Sequence, residues 1–277
     1  MDDVLFIGNG LNRVSDSIYS WTSLLDRVES EIRSKYLCSV PSKSEYKESL
    51  PLFFERLSES LNKHRVDSDE DLLEKLVFNA VSEIRPNFLH SLLQRTSFKT
   101  IITTNYDLVI EDSIDASIKA TKKYNPIPNE IKTNMTTVSI VGEFNVWHVH
   151  GRLKEPKSIV ISSSQYYQQL SDILNYLQTE FNTNNSWIYH MFENNIHILG
   201  YDLGYNEITI LTVLIYRSMN LKNGKIKNRI SYYVRSNEPI NSDLEFFINR
   251  LSIDIIKVDE ENYSLFYEKV LNKFIMK

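Results

Sequence analysis

The sequence predicts an α/β protein, a doubly wound and mostly parallel sheet with helical insertions, and three observations carry that expectation. Six short apolar runs, Val4–Ile7, Thr100–Thr103, Val146–Val149, Ile159–Ile161, Ile196–Leu199 and Ile230–Val234, with a seventh at Ile253–Val258, are rich in Ile and Val and nearly apolar on both faces. Strands covered on both sides have that character. Between these runs the apolar residues recur at helical spacing, and alternating strands and helices make a parallel, Rossmann-like sheet. Glycine occurs 7 times in 277 residues, and Gly8, Gly10, Gly151, Gly200 and Gly204 stand just after such runs or at their ends. Glycines spent so sparingly mark places of close backbone approach.

The helices follow in order. Ile18, Trp21, Leu25, Val28 and Ile32 form the first stripe; Phe53, Phe54, Leu57 and Leu61 form the second, behind Pro51 in a first turn. Leu72, Leu73, Leu76, Ala80 and Ile84 make a third, closed by Pro86. Asn87–Gln94, Asn105–Ile114, Tyr205–Tyr216, Ser242–Leu251 and Tyr263–Ile275 complete the set, and the polar stretches Tyr36–Ser49 and Thr121–Asn134 read as loops. With no Pro/Gly/Ser linker and no repeat, residues 1–277 are expected to form a single domain. The stretch at about 165–194 is longer than a crossover needs and reads as a helical insertion. Its apolar load, from Tyr166 and Tyr167 through Phe181 to Met191, suggests a homo-oligomer, a second core layer being the alternative.

Composition excludes several classes. The net charge of -5 and pI near 5.8 give no general attraction to nucleic acid, and the basic stretch Lys222–Arg229 reads as a solvated loop. A lone Cys38 excludes an intramolecular disulfide and a thiolate zinc site, and fits a reducing cytoplasm. No apolar run approaches the ~18 residues of a membrane span, and the acidic start MDDVLFIG is unlike a signal peptide.

Four motifs carry the chemistry. Gly8-Asn9-Gly10-Leu11-Asn12-Arg13 follows the first strand; Gly-x-Gly there either cradles a pyrophosphate or makes a tight turn. A hydride-transferring dinucleotide enzyme is disfavoured, because Arg13 stands where the third glycine belongs and Trp21–Ile32 reads as helix where a second strand should be. Thr103-Thr104-Asn105-Tyr106-Asp107 ends the second strand with more polar side chains than a helix cap requires. In Trp147-His148-Val149-His150-Gly151, period-2 spacing puts both histidines on one side of the strand. They could be metal ligands or structural residues, or supply an acid/base histidine, and Gly151 favours the last by opening room beside His150. Gly200-Tyr201-Asp202 ends another strand and is weak alone.

In this order the motifs resemble the sirtuin (silent information regulator two) family, and among its members the compact, zinc-free bacterial branch of anti-phage defence. The likeness runs from about Val4 to Leu203 and includes Ser20-Trp21-x-x-Leu24-Leu25. It implies NAD as substrate, with Gly8 and Gly10 at the phosphates, beside Asn9 and Asn12, which replace smaller residues of the family loop. It implies that Asn105 positions the nicotinamide ribose and a water, that Tyr106 and Asp107 line the nicotinamide pocket, and that Thr103 and Thr104 support it. His150 would be the general base, Gly151 its neighbour, and Gly200 would admit the adenosine side. Asp202 would bind ribose hydroxyls or cap the helix at Tyr205. Both the family's Gly-x-Pro-x-Phe-Arg segment and its four-cysteine module are missing, so deacylation of peptides is not expected, nor is a metal. The expected activity is NAD hydrolysis that depletes NAD, with a separate sensor or regulatory protein as a possible partner. ADP-ribosyl transfer or deacylation, and a non-catalytic NAD or ADP-ribose sensor, are the alternatives.

Overall fold

The computed structural model describes residues 1–15, 19–36, 50–64, 70–118, 138–153, 155, 158–179, 186–204 and 207–276. The two expected loops at Tyr36–Ser49 and Thr121–Asn134, and Cys38 with them, lie almost wholly outside the described residues.

The sheet has seven strands: β1 (Asp3–Ile7), β2 (Thr100–Thr103), β3 (Val138–Val141), β4 (Phe144–His148), β5 (Asn195–Leu199), β6 (Ile230–Arg235) and β7 (Asp254–Val258). Their order is β3-β4-β2-β1-β5-β6-β7, parallel except where β3 pairs antiparallel with β4. The chain leaves β1 towards β2 and β4 on one side and returns to β5 on the other. The crevice beyond the carboxyl ends of β1 and β5 is therefore the topological switch point, where open α/β sheets take ligands.

Ten α-helices accompany the sheet among the described residues: α1 (Trp21–Tyr36), α2 (Leu50–Lys63), α3 (Glu70–Val81), α4 (Phe88–Leu93), α5 (Val109–Ile118), α6 (Ser163–Thr179), α7 (Trp187–Glu193), α8 (Ile208–Lys222), α9 (Ser242–Arg250) and α10 (Tyr263–Asn272). Period-2 alternation separates two cores. Val4, Phe6, Ile102, Trp147, Ile196 and Ile198 face α6, α7, α8 and α9, whereas Leu5, Ile7, Ile101, Val146 and Leu199 face α4, α5 and α10. A third core belongs to α1, α2 and α3 and is joined from the sheet side by Tyr106, Val109, Leu153, Ile159 and Ile161.

Several expectations are corrected. Ile159–Ile161 is not a strand: Val160 donates its N–H to the His150 carbonyl, Ile161 donates to Gln165 Oε1, and the three side chains are buried. The run is apolar because it is sandwiched, and its backbone is satisfied without a ladder. The edge strand β3 was not anticipated. The helix expected at Asn105 begins at Val109, because Thr103 and Asp107 side chains take the backbone N–H groups of Asn105 and Val109 and hold the intervening residues as a loop. The helix expected from Tyr205 begins at Ile208, and α10 ends at Asn272 so that Ile275 can bridge to Thr96.

The insertion at 165–194 is two helices, α6 and α7. Its Ile173, Tyr176, Leu177, Trp187, Ile188 and Met191 are buried in the chain's own core. The apolar load is thus a second layer on the sheet, and only Tyr167 and Leu174 of it are exposed among the described residues. Lys222, Lys225, Lys227 and Arg229 are all exposed, as a solvated loop requires.

Candidate active site

The glycine loop and the β5 loop stand back to back. Gly10 donates its N–H to the Gly200 carbonyl at 2.8 Å, and a Cβ on Gly8 or Gly10 would come within 2.6 Å of Gly200 or Tyr201 backbone atoms. Gly200 itself has φ +65°, a conformation that favours glycine. These glycines answer first to one another, and a Gly→Ala change at Gly8 or Gly10 has to push two backbones apart. Gly204, by contrast, has nothing within 4 Å of its Cβ position among the described residues.

Asn12 is the hub behind that loop. It is 1% exposed, and its Nδ2 donates to Asn9 Oδ1 and to Asp107 Oδ2, both at 2.9 Å. Its Oδ1 lies 3.1 Å from His90 Nε2, while His90 Nδ1 accepts the Asn87 N–H. The proton on neutral His90 is therefore on Nε2 and is donated to Asn12. Asn9 Nδ2 donates onward to the Tyr19 carbonyl at 2.5 Å. Asp107 is buried, and burial pushes its carboxyl above the usual range although Val109 and Asn12 donate to it. Sequence reasoning placed Asn9, Asn12 and Asp107 at the site but missed His90, whose signal was Asn87-x-x-His90, a capping box with histidine at its third position.

Burial lowers His90 from 6.5 to about 4, which makes the loop acid-sensitive. In the unfolded chain this histidine takes a proton below pH ~6.5, and in the folded chain only near pH 4. Its contribution is intact above pH 6.5 and is lost as pH falls towards 4, by on the order of 3 kcal/mol for a shift of this size. Melting curves between pH 7 and pH 4 should show His90→Gln with a shallower decline than the parent; equal slopes would refute this.

Asn105 sits at the mouth of β2. Its N–H donates to Thr103 Oγ1 at 3.1 Å, its Nδ2 donates to the Gly8 carbonyl at 3.3 Å, and its carbonyl accepts from His148 Nδ1 at 2.9 Å. The remaining atom, Oδ1, is buried and has no hydrogen-bond partner among the described residues. A recess lined by Asn9, Tyr19, Ser20, Leu24, Val81, Ile84, Asn105, Tyr106 and Asp107 lies at this loop, between the carboxyl edge of the sheet and the α1–α3 layer. Thr103 and Thr104 are buried behind it, and the Tyr106 hydroxyl donates to the Val160 carbonyl at 2.6 Å.

The two histidines do not share a face. The ladder of β4 ends at His148, and a turn closed by the Gly151 N–H on the His148 carbonyl swings His150 away from the strand's alternation. His148 points at α5, where Nε2 donates to Glu111 Oε1 at 2.7 Å. Burial opposes charge on both, but each stabilises the other's ion: His148 is held above the usual imidazole range and Glu111 below the usual carboxylate range. The chain of contacts continues from Glu111 to Ser139 and from Ser139 to Arg152, so the pair ties Asn105 to the segment after His150.

His150 faces α6 and α8. Gln169 donates its Nε2 to the Val149 carbonyl at 2.5 Å, which leaves Oε1 to accept from His150 Nδ1 at 3.1 Å. His150 Nε2 then lies 3.1 Å from Glu207 Oε2, and the Tyr166 ring is 5.3 Å away. A metal held by both histidines is ruled out by their divergence, and among the described residues no group of three or more His, Cys, Asp or Glu could hold one. Gly151 does not open room for substrate. It has φ +85°, and Ser158 backbone atoms occupy the space of its missing Cβ. Asp202 is exposed and does not cap α8, which starts six residues later on Glu207 with no side-chain cap.

Fold and site together define a Rossmann-like α/β protein whose polar loops converge at the carboxyl edge of a parallel sheet. A family profile for the SIR2-like domain matches residues 99–237, half of the chain, and the chain belongs to that family. The matched span holds Thr103–Asp107, His150-Gly151 and Gly200–Asp202, while the glycine loop lies outside it. Membership fits NAD-utilising activity in general. No curated protein matches the chain. No helix among the described residues is long and apolar enough to cross a membrane.

Proposed function

We propose that the protein is an NAD glycohydrolase, converting NAD⁺ and water to ADP-ribose, nicotinamide and a proton. The observation that carries this reading is the orphaned Oδ1 of Asn105, a buried acceptor beside a recess at the sheet's carboxyl edge. Native proteins seldom leave such an atom unpaired, and a ribose hydroxyl or water would satisfy it. In this reading the phosphates lie against the Gly8–Asn12 loop, whose course Gly8 and Gly10 allow by their close approach to the β5 loop, and Gly200 and Asp202 flank the adenosine side. Asn105 orients the nicotinamide ribose with Tyr106 and Asp107 beside it, and His150 receives the proton of the attacking water. Bond cleavage passes through an oxocarbenium-like state, so positioning and a base are what the enzyme must supply.

The purified protein incubated with NAD should release free ADP-ribose and nicotinamide, read by mass spectrometry. A modified acceptor in place of free ADP-ribose would move the assignment to transfer, and no product would leave a binding protein. Depletion of NAD in anti-phage defence, with a separate sensor, belongs to the same proposal and rests on the motif order. Self-association in solution is supported by the exposed Tyr167 and Leu174 on α6 and Ile208, Ile215 and Met219 on α8.

A further inference from the structure

We propose that Glu207 is a catalytic carboxylate of this site, placed to offset the positive charge that develops on the ribose as nicotinamide leaves; this rests on the glycohydrolase reading. When the C1′–N bond breaks, its electron pair departs with nicotinamide and the sugar becomes cationic. Water then adds to C1′, and its proton passes to His150 Nε2. Negative charge beside the sugar lowers that barrier, and a second base equivalent is not needed.

The carboxylates near the site differ in what is left to them. Asp107 is committed to Asn12 and the Val109 N–H, and burial favours its neutral form. Glu111 is compensated by His148. Asp202 is exposed, and its charge is felt by Tyr201 and Tyr232. Glu207 alone among them touches His150. Its side chain is 31% exposed, yet it faces inward: after burial, its charge is what raises the phenols of Tyr106, Tyr166 and Tyr201.

Helix capping does not explain its position. Glu207 is the N-cap residue of α8, a place that favours Ser, Thr, Asp or Asn, and it makes no side-chain cap. The side chain instead turns to His150. Since Gln169 fixes the proton on Nδ1, Nε2 is the nitrogen that can take the water's proton, and Glu207 Oε2 lies 3.1 Å from it. The carboxylate therefore also stabilises the imidazolium formed when His150 takes the water's proton.

Glu207→Gln tests this, because it keeps shape and hydrogen bonding while deleting charge. A group that works only in the transition state lowers kcat and leaves KM alone. The expected result is a kcat lower by about 100-fold or more, a KM within about threefold, and an unchanged melting temperature. Glu207→Asp, which keeps the charge, should recover at least about tenfold over the glutamine variant. Turnover within about threefold of the parent for Glu207→Gln overturns the proposal and leaves the hydrolase reading standing. So does a rise in KM at constant kcat, or an equal loss of melting temperature in both variants. A parent protein without NAD turnover removes both.

Discussion

Asn105→Ala should lose NAD turnover by about 100-fold or more while its melting temperature stays close to the parent's. The two parts of the residue have separate duties. Its backbone is held by Thr103 Oγ1 and His148 Nδ1, and neither bond involves the amide side chain. Deleting that amide breaks one long bond to the Gly8 carbonyl at 3.3 Å and removes an acceptor that was already unpaired, so little stability is at stake. What disappears is the group that would orient ribose and water, and misplacement at the reacting centre is costly. Steady-state kinetics with calorimetric melting decides the matter, and turnover within about threefold of the parent would remove Asn105 from the mechanism.

The two histidines should part company just as sharply. His150→Ala should cost ~100- to 10,000-fold in turnover, the usual loss when a positioned base is removed. Gln169 keeps its bond to the Val149 carbonyl, and Glu207, whose side chain is 31% exposed, can turn to water, so the fold should hold. His148→Ala should instead be read first as a loss of stability. It strands Glu111, 2% exposed and charged, against Ser139 with its cation gone. Breaking a buried ion pair from one side typically costs ~3–5 kcal/mol. Chemical denaturation and NAD turnover on both variants give the answer. A dead, stably folded His148→Ala beside an active His150→Ala would invert the assignment.

Much of this was legible in the sequence because it is written locally. Six of the seven expected strands are strands, and each motif read at a strand end does lie at the carboxyl edge of the sheet. Ile159–Ile161 misled because burial, not pairing, selects apolar residues, and a run packed between two layers has the composition of a strand. The histidines misled for a related reason: period-2 alternation holds only as long as the ladder does, and β4 stops at His148. The partners were harder. Gln169 and Glu207 reach His150 from α6 and α8, and Glu111 reaches His148 from α5. Such contacts form between residues far apart in the chain, and no spacing rule encodes them. One hint was available: Glu207 stands where a helix wants a cap.

The α1–α3 layer has a consequence of its own. Leu24, Val81 and Ile84 line the recess and belong to the core of α1, α2 and α3, which Tyr106, Val109, Leu153, Ile159 and Ile161 join from the sheet side. Asn105 and His150, by contrast, are held from the sheet and from the helices packed on it. Wall and working parts thus rest mainly on different elements, joined where Tyr106 enters the helical core and where α2 packs on α6. Drift in the wall's composition alters the size and greasiness of the chamber while the reacting groups keep their places, so variation in what this lineage accepts as substrate should accumulate in Trp21–Val81 and not in the strands.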